Sequence, residues 1–281
     1  MAEPLYDTLY HRLEKVRWNM ADVPFDQIDK SAVSAETLEF VRVNCLMELS
    51  SLYATRMFLR DFQGDPDFCQ FQSVWYFEEM RHYLILREYL KAFDAEPDFT
   101  TLDEFDTELK EAPWESTLAM HWCGELRLGR WYLQWSKEAP EPVLKQVYKL
   151  IAEDEFRHAQ AYEEFMERAL EKDPSVMLPF ANATKWMLVN PQGDKHPTTF
   201  AEGSEDGQSV TDRIEGYAVM QELIQQSVPE HVEASLQTRV LKTLSRLSGT
   251  TLETRSDLVR LTLSLQANAA APAPVSSTPS V

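Results

Sequence analysis

Long apolar runs are missing from this sequence. No stretch approaches the roughly 18 consecutive apolar residues that cross a bilayer as a helix. Met1-Ala2-Glu3-Pro4 leads into a charged segment, not into the apolar core of a signal peptide. A membrane protein is therefore not expected, and a cytoplasmic one is. Cysteine is scarce: Cys45, Cys69 and Cys123 are the three among 281 residues, and their spacing shows no pairing. That argues against a disulfide framework and suits free thiols in a reducing compartment. Glycine (8) and proline (15) are also few. Most prolines fall between apolar-periodic stretches, which favours an all-α fold. Basic residues, 27 against 46 acidic, leave a net charge of −19. Such a chain repels phosphate backbones and anionic lipid, so neither nucleic acid nor a membrane surface is expected as a partner.

What the chain does have is 44% hydrophobic residues, enough for a sizeable core, and a four-residue pattern that occurs twice. Glu79-Met80-Arg81-His82 and Glu155-Phe156-Arg157-His158 are both Glu-x-x-His. Each follows a lone glutamate set in an apolar helical stretch, Glu48 and Glu125, at separations of 31 and 30 residues. Positions i and i+3 share a helix face, so a Glu and a His three apart can point at one metal pair. One copy carries little weight, because exposed helices collect both residue types by chance. Two copies at matched spacing, each with its apolar-flanked Glu, supply four carboxylates and two imidazoles. That is the donor set of a dinuclear iron or manganese site in a four-helix bundle.

The chain order fits. Residues 1–33 read as an N-terminal arm with one short helix around Leu5–Met20. A first bundle helix begins at the cap residue Ser34, with Glu36 in its first turn, and runs to about Phe62. Val41, Cys45, Glu48, Leu52 and Thr55 share one of its faces. Asp65 caps the second helix and Pro66 opens it; it ends near Phe93. An acidic, proline-containing crossover covers 94–113. The third helix spans about Trp114–Lys137, and Pro140 and Pro142 mark the break before the fourth, which ends near Lys172. The bundle thus occupies 34–172. Further helices are expected over 173–266, at Ser175–Val189, Thr211–Ser227, Glu230–Ser248 and Ser256–Gln266, and the Ala/Pro/Ser/Thr-rich tail 267–281 reads as disordered.

Two segments carry a resemblance. Trp75-Tyr76-Phe77-Glu78-Glu79-Met80-Arg81-His82 resembles the W-x-x-E-E-x-R-H signature of the soluble acyl-carrier-protein desaturases. Ile151-Ala152-Glu153-Asp154-Glu155-Phe156-Arg157-His158-Ala159-Gln160-Ala161-Tyr162 resembles their I-A-x-D-E-x-R-H-x-x-A-Y segment. The match is specific over the second and fourth helices, moderate over the first and third, and faint from Pro179 to Leu265. The resemblance implies a homodimeric, ferritin-like all-α bundle with additional C-terminal helices. It also implies two iron ions cycling between Fe2+ and Fe3+, with manganese as the alternative in one or both positions. Glu48 and Glu125 would be terminal ligands, Glu79 and Glu155 bridges, and His82 and His158 would take one metal each. An acyl chain on an acyl carrier protein would be the substrate and a ferredoxin the electron donor.

The sequence departs from that family at two places. Leu128 stands where a threonine commonly follows the third-helix glutamate. His121 stands one turn before Glu125, and two readings of it stay open: a core or outer-layer histidine, and an extra ligand or proton shuttle. Metal-bound imidazoles usually donate their other N–H to a carboxylate; Asp154 and Glu78, each directly before a ligand glutamate, are the candidates. Arg81 and Arg157 read as neutralising the carboxylates or as surface ion pairs. Trp18 reads as packing or as part of an electron route. Met57, Phe71, Leu118, Trp122 and Trp131 are core residues among which an acyl tunnel would have to run.

Three functions remain open on these grounds. The first is a di-iron, O2-dependent oxidase or desaturase of a carrier-bound fatty acyl chain. The second is a hydroxylase or N-oxygenase tailoring an amine, amino acid or small acid. The third is a non-catalytic ferritin-like iron-binding protein. The charge of −19 favours the second somewhat over the first, since carrier proteins are acidic. A basic patch of Arg56, Arg60, Arg87 and Lys91 could still dock one.

Overall fold

A computed structural model of the chain describes residues 4–49, 51–97, 113–189 and 228–270. Regular structure among them is entirely helical. In chain order the α-helices are α1 (Leu5–Glu14), α2 (Ala35–Glu48), α3 (Ser51–Asp61), α4 (Pro66–Lys91), α5 (Trp114–Glu138), α6 (Pro142–Lys172), α7 (Met177–Val189), α8 (Glu230–Ser248) and α9 (Arg255–Ala270). The expected helix at Thr211–Ser227, the polar loop with Pro191, Gly193, Gly203 and Gly207, and most of the acidic crossover lie outside the described residues.

Local chemistry sets the helix starts. The Ser34 hydroxyl accepts the Thr37 N–H at 3.1 Å, and the Asp65 carboxylate accepts that of Phe68 at 3.2 Å. Glu141 does the same for Leu144 at 2.8 Å, and Pro66 and Pro142 occupy first helical positions where no N–H is needed. At the far end of α8, Gly249 takes the left-handed conformation, φ 66°, that closes a helix at little cost without a Cβ.

Packing builds two helix pairs, α2 with α4 and α5 with α6, closed into a bundle by α4 on α6 and α3 on α5. Around it, α1 lies on α4 and α6, α7 on α5, α8 on α5 and α7, and α9 on α7. One core gathers Phe58, Phe68, Phe71, Trp75, Trp122, Tyr162 and Phe165. A second gathers Val41, Ile85, Leu86, Tyr89, Leu144, Val147 and Ile151. Each such side chain contributes about 1.5–3 kcal/mol through its burial. The outer helices are tied down by polar contacts. The Asp67 carboxylate accepts the first N–H groups of α1, those of Leu5 at 3.0 Å and Tyr6 at 2.8 Å. Buried Glu163 of α6 accepts from the Trp122 indole at 3.3 Å and from Arg239 and Arg246 of α8 at 2.8 and 2.7 Å.

Three expectations are corrected. The first bundle helix is not continuous to Phe62: it stops at Glu48 and resumes at Ser51. The Ser51 hydroxyl takes the Glu48 carbonyl at 2.7 Å, and the Leu52 N–H turns to Leu49 at 3.2 Å. Serine thus competes with the helix ladder. The break also shifts the buried face, so that Ala54, Met57 and Phe58 face inward while Leu52 and Thr55 are only half-buried. The arm helix ends at Glu14, not Met20, and short 3₁₀ turns at Met20–Asp22, Phe25–Gln27 and Lys30–Ala32 follow. The C-terminal helix runs through Ala270, past the expected onset of disorder at Ala267, because the Asn-Ala-Ala of 268–270 continues a helix readily.

Gly129 sets how closely α5 approaches α6. A Cβ there would lie 2.9 Å from Cδ1 and Cε1 of the Phe156 ring. Gly129 stands one turn after Glu125, and Phe156 is the neighbour of Glu155, so the contact fixes the spacing of two glutamates. Gly129→Ala is expected to overpack this contact, lower stability by about 1–3 kcal/mol, and weaken metal retention. Urea melts and metal titrations of the same preparation will read both effects.

Candidate metal centre

Each bundle helix brings one or two donors to the same depth. Glu48 is the last residue of α2, Glu79 and His82 share a face of α4, Glu125 lies mid-α5, and Glu155 and His158 share a face of α6. All six are buried. They form two overlapping groups. In Glu48, Glu79, His82 and Glu155, one donor atom per residue lies within 4.8 Å of every other. The same holds for Glu79, Glu125, Glu155 and His158. Glu79 and Glu155 belong to both groups; Glu48 and Glu125 belong to one each.

The imidazoles point the same way. His82 turns Nδ1 to the cluster, 3.6 Å from Glu48, 3.8 Å from Glu79 and 3.5 Å from Glu155. His158 turns its Nδ1 inward, 3.1 Å from Glu79, 3.3 Å from Glu125 and 3.9 Å from Glu155. Their Nε2 atoms face outward to two buried acids: His82 lies 3.2 Å from Asp154 and His158 3.0 Å from Glu78. Asp154 and Glu78 thus cross-link the halves, each behind the histidine of the other Glu-x-x-His. Behind them stand consecutive residues of the arm. The Trp18 indole donates to Asp154 at 2.5 Å, and Arg17 donates to Glu78 at 3.2 Å. Other buried groups aim Glu48 and Glu125: the Tyr132 hydroxyl donates to Glu48, and the Trp75 indole to Glu125 at 3.0 Å.

The remaining sequence candidates sit further out. His121 is outside both donor groups, buried against Phe58 at 4.1 Å between ring centroids, Tyr162 at 6.1 Å and Trp75 at 6.2 Å. Its charge still helps hold Glu125 ionised. Arg81 bonds the Trp18 carbonyl and lies 3.9 Å over its ring, while Arg157 pairs with Asp154. In the structure both arginines brace the outer layer. Leu128 is half-buried in the second core. Tyr132, Arg17 and Gly129 escape a sequence reading that follows donors only; Tyr132 could have been found seven residues, two turns, beyond Glu125 on the same face.

The electrostatics are those of a cation site. Four carboxylates taken out of water together repel one another and cannot all stay ionised. Burial, then the charges of Glu125 and Glu79, push Glu155 well above the carboxylate range. Burial raises Glu79 to about 7 despite the nearby His158. For Glu125 burial is outweighed by contacts with Glu155 and His158, and it is held at about 2. For His158 burial is outweighed by Glu125, Glu78 and Glu79, and the ring is pushed well above its ordinary range. His82 Nδ1 is buried without a hydrogen-bond partner among the described residues, and Glu79 Oε1 and the Glu155 oxygens meet only other donors of the cluster. The donor set can bind two metal ions, and two divalent ions would answer each of these defects.

Comparison with known proteins follows the same lines. A family model described as fatty acid desaturase matches residues 132–266, just under half of the chain, and includes Glu155 and His158. No curated protein matches. Among solved structures, a valine-to-alanine variant of R2-like ligand-binding oxidase with an anaerobically reconstituted Mn/Fe cofactor is similar at 17% identity and a TM-score of 0.53. The likeness covers 90% of this chain and 95% of that one. A valine-to-isoleucine variant of that oxidase, aerobically reconstituted with Mn/Fe, gives the same four figures. The fold is therefore the ferritin-like helical bundle. No helix among the described residues is long and apolar enough to cross a membrane.

The proton arrangement has a measurable consequence. Glu79, Glu155 and His158 bind a proton more tightly in the folded, metal-free protein than in the unfolded chain. Their stabilisation is complete below the unfolded values and is lost as pH rises through the folded ones. Glu125 works in the opposite sense, but only below its ordinary 4.5. The melting temperature of chelator-treated protein is expected to fall from about pH 5 to about pH 8. Metal binding displaces those protons, so the gain in melting temperature on adding Fe(II) or Mn(II) is expected to widen over the same range. Scanning fluorimetry of both forms will show it.

Proposed function

We propose that this protein is an O2-dependent dimetal oxidoreductase that oxidises an organic substrate, with a fatty acyl chain as the favoured one. The observation that carries the reading is the pair of overlapping donor groups sharing Glu79 and Glu155. In this reading Glu48, Glu79, His82, Glu125, Glu155 and His158 would together hold two iron ions, or one iron and one manganese, with Glu79 and Glu155 shared between the two donor groups. Such a metal pair, when bound and reduced, supplies the reaction with dioxygen.

The chain's own residues do the rest. Asp154 and Glu78 accept the outward N–H of the imidazoles, which leaves each Nδ1 as the metal-facing lone pair. Trp18 and Arg17 hold those acids in turn. Tyr132 and Trp75 fix the terminal carboxylates. Burial of all six donors keeps bulk water from the reacting centre. The acyl substrate is supported by the fatty acid desaturase match over 132–266 and by the two signatures around Glu79 and Glu155. Delivery by an acyl carrier protein, reduction by a ferredoxin and a homodimeric state belong to the same proposal.

A second reading, an oxygenase of a compact amine, amino acid or small acid, has an observation of its own. At the end of the bundle marked by His121, the Gln72 amide and the Tyr162 hydroxyl are buried with only each other as polar partners. Aromatic rings surround them, with Tyr162 5.6 Å from both Phe58 and Phe71. Buried polar atoms of this kind suit the polar head of a small planar substrate.

The test begins with anaerobic Fe(II) loading, iron counting and the optical spectrum on admitting O2. Two irons per chain and an oxo-bridged diferric spectrum are expected, both lost in Glu125→Ala. Asp154→Asn is expected to keep the fold and lower iron affinity by roughly 10–100-fold. Fewer than one iron per chain, or an indifferent Glu125→Ala, overturns the proposal. Iron uptake far beyond two would favour a storage role. Products from acyl-carrier-protein substrates against those from free small acids and amines separate the two readings.

A further inference from the structure

The two ends of the metal cluster differ. Beyond Glu125 on α5, away from the His121 end, three oxidisable rings follow one another. Tyr132 is buried and donates its hydroxyl to Glu48. Its ring meets Trp135 edge-on, 5.1 Å between centroids at 87°. Trp135 lies 6.1 Å from Trp131. Trp131 is half-buried, and its indole N–H donates to Glu233 of α8 at 3.0 Å. Phe40, edge-on to Trp135 at 4.9 Å and 89°, holds the middle ring in place.

Tyr132 aims Glu48, but nothing in the metal site calls for two tryptophans behind it. Leucines at 131 and 135 would fill the same space on α5. Tyrosine and tryptophan are the side chains that most readily surrender a single electron, and rings in or near van der Waals contact exchange electrons quickly. Here an unbroken series of them runs from a cluster carboxylate to a ring that solvent reaches.

We propose that Tyr132, Trp135 and Trp131 form an escape path for oxidising equivalents when the centre reacts with O2 and no substrate is present. The inference rests on the dimetal reading above. In the first step Tyr132 would supply the one electron that the oxidised metal pair takes up. Its phenolic proton passes to the Glu48 oxygen that already accepts its hydrogen bond. Trp135 then gives an electron to the tyrosyl radical, which recovers its proton from Glu48. Trp131 refills Trp135. The resulting positive charge on Trp131 is stabilised by the Glu233 carboxylate, which offsets the Arg127 guanidinium 6.0 Å over the same ring. A one-electron reductant in solution, such as ascorbate or a thiol, restores Trp131. Each passage consumes one external electron and leaves every residue as it began.

The experiment uses the full-length protein loaded with two Fe(II) per chain and exposed to O2 without substrate. Freeze-quench electron paramagnetic resonance and mass-spectrometric mapping of oxygen added to side chains are followed with and without ascorbate. Wild type is expected to show a short-lived aromatic radical that ascorbate removes. Trp131→Phe is expected to prolong that radical at least several-fold, blunt the ascorbate effect and raise oxidative damage near the cluster. Tyr132→Phe is expected to remove the radical when the signal is read per bound iron. Trp131→Phe alters only the half-exposed end, so it decides the matter even if Trp135→Phe fails to fold. A normally oxidised wild-type centre with no aromatic radical overturns the path. So does a Trp131→Phe protein with unchanged radical lifetime and ascorbate response. Failure of the dimetal reading looks different: iron does not load, or loads and does not react with O2.

Discussion

Four carboxylates share one dry compartment in this fold, and that repulsion is the constraint to which the rest of the structure answers. An isolated buried carboxylate is costly, and four together are tolerable only with protons or cations among them. The metal-free protein uses protons, on Glu155, on Glu79 and on the His158 ring. Two divalent ions do the same work with better geometry, since carboxylates can bridge and each Nδ1 already faces inward. The hydrophobic cores on either side supply the stability against which this cost is set.

The bundle has an approximate internal repeat that is closed by crossing over. Each half contributes one glutamate on its first helix and Glu-x-x-His on its second. Yet the acid that fixes each imidazole comes from the opposite half: Asp154 of α6 behind His82 of α4, Glu78 of α4 behind His158 of α6. Neither half is complete alone, and α4 and α6 are held face to face by the same contacts that orient the imidazoles. Gly129 plays the matching role between α5 and α6, where the lack of a side chain sets the distance.

The sequence made the donors legible because a charged residue in an apolar stripe has few innocent explanations. Spacing of three on one helix, repeated, named His82 and His158; apolar flanks named Glu48 and Glu125. Asp154 and Glu78 were legible from their place beside Glu155 and Glu79. What the sequence hid were interactions between segments far apart along the chain. Arg17 and Trp18 look like ordinary residues of a charged arm until the fold lays them on Glu78 and Asp154. The break after Glu48 depends on a serine hydroxyl competing with the helix, which no periodicity reveals, and it moved the inward face from Leu52 and Thr55 to Ala54 and Phe58. Gly129 carried no signal because its importance lies in the Phe156 ring opposite.

The arm contact also bears on the order in which the molecule is made. Trp18 and Asp154 are 136 positions apart, and Arg17 and Glu78 are 61 apart. Contacts that close long loops form late, after local pairs such as α5 with α6. The arm precedes the bundle in the chain, yet its contact with Asp154 forms only once the fourth bundle helix exists. The orientation of His82 therefore depends on a segment that waits for a helix far along the chain. A chain cut short after α5 could hold Glu48, Glu79 and Glu125 but would lack Asp154, and with it the partner that keeps His82 turned inward.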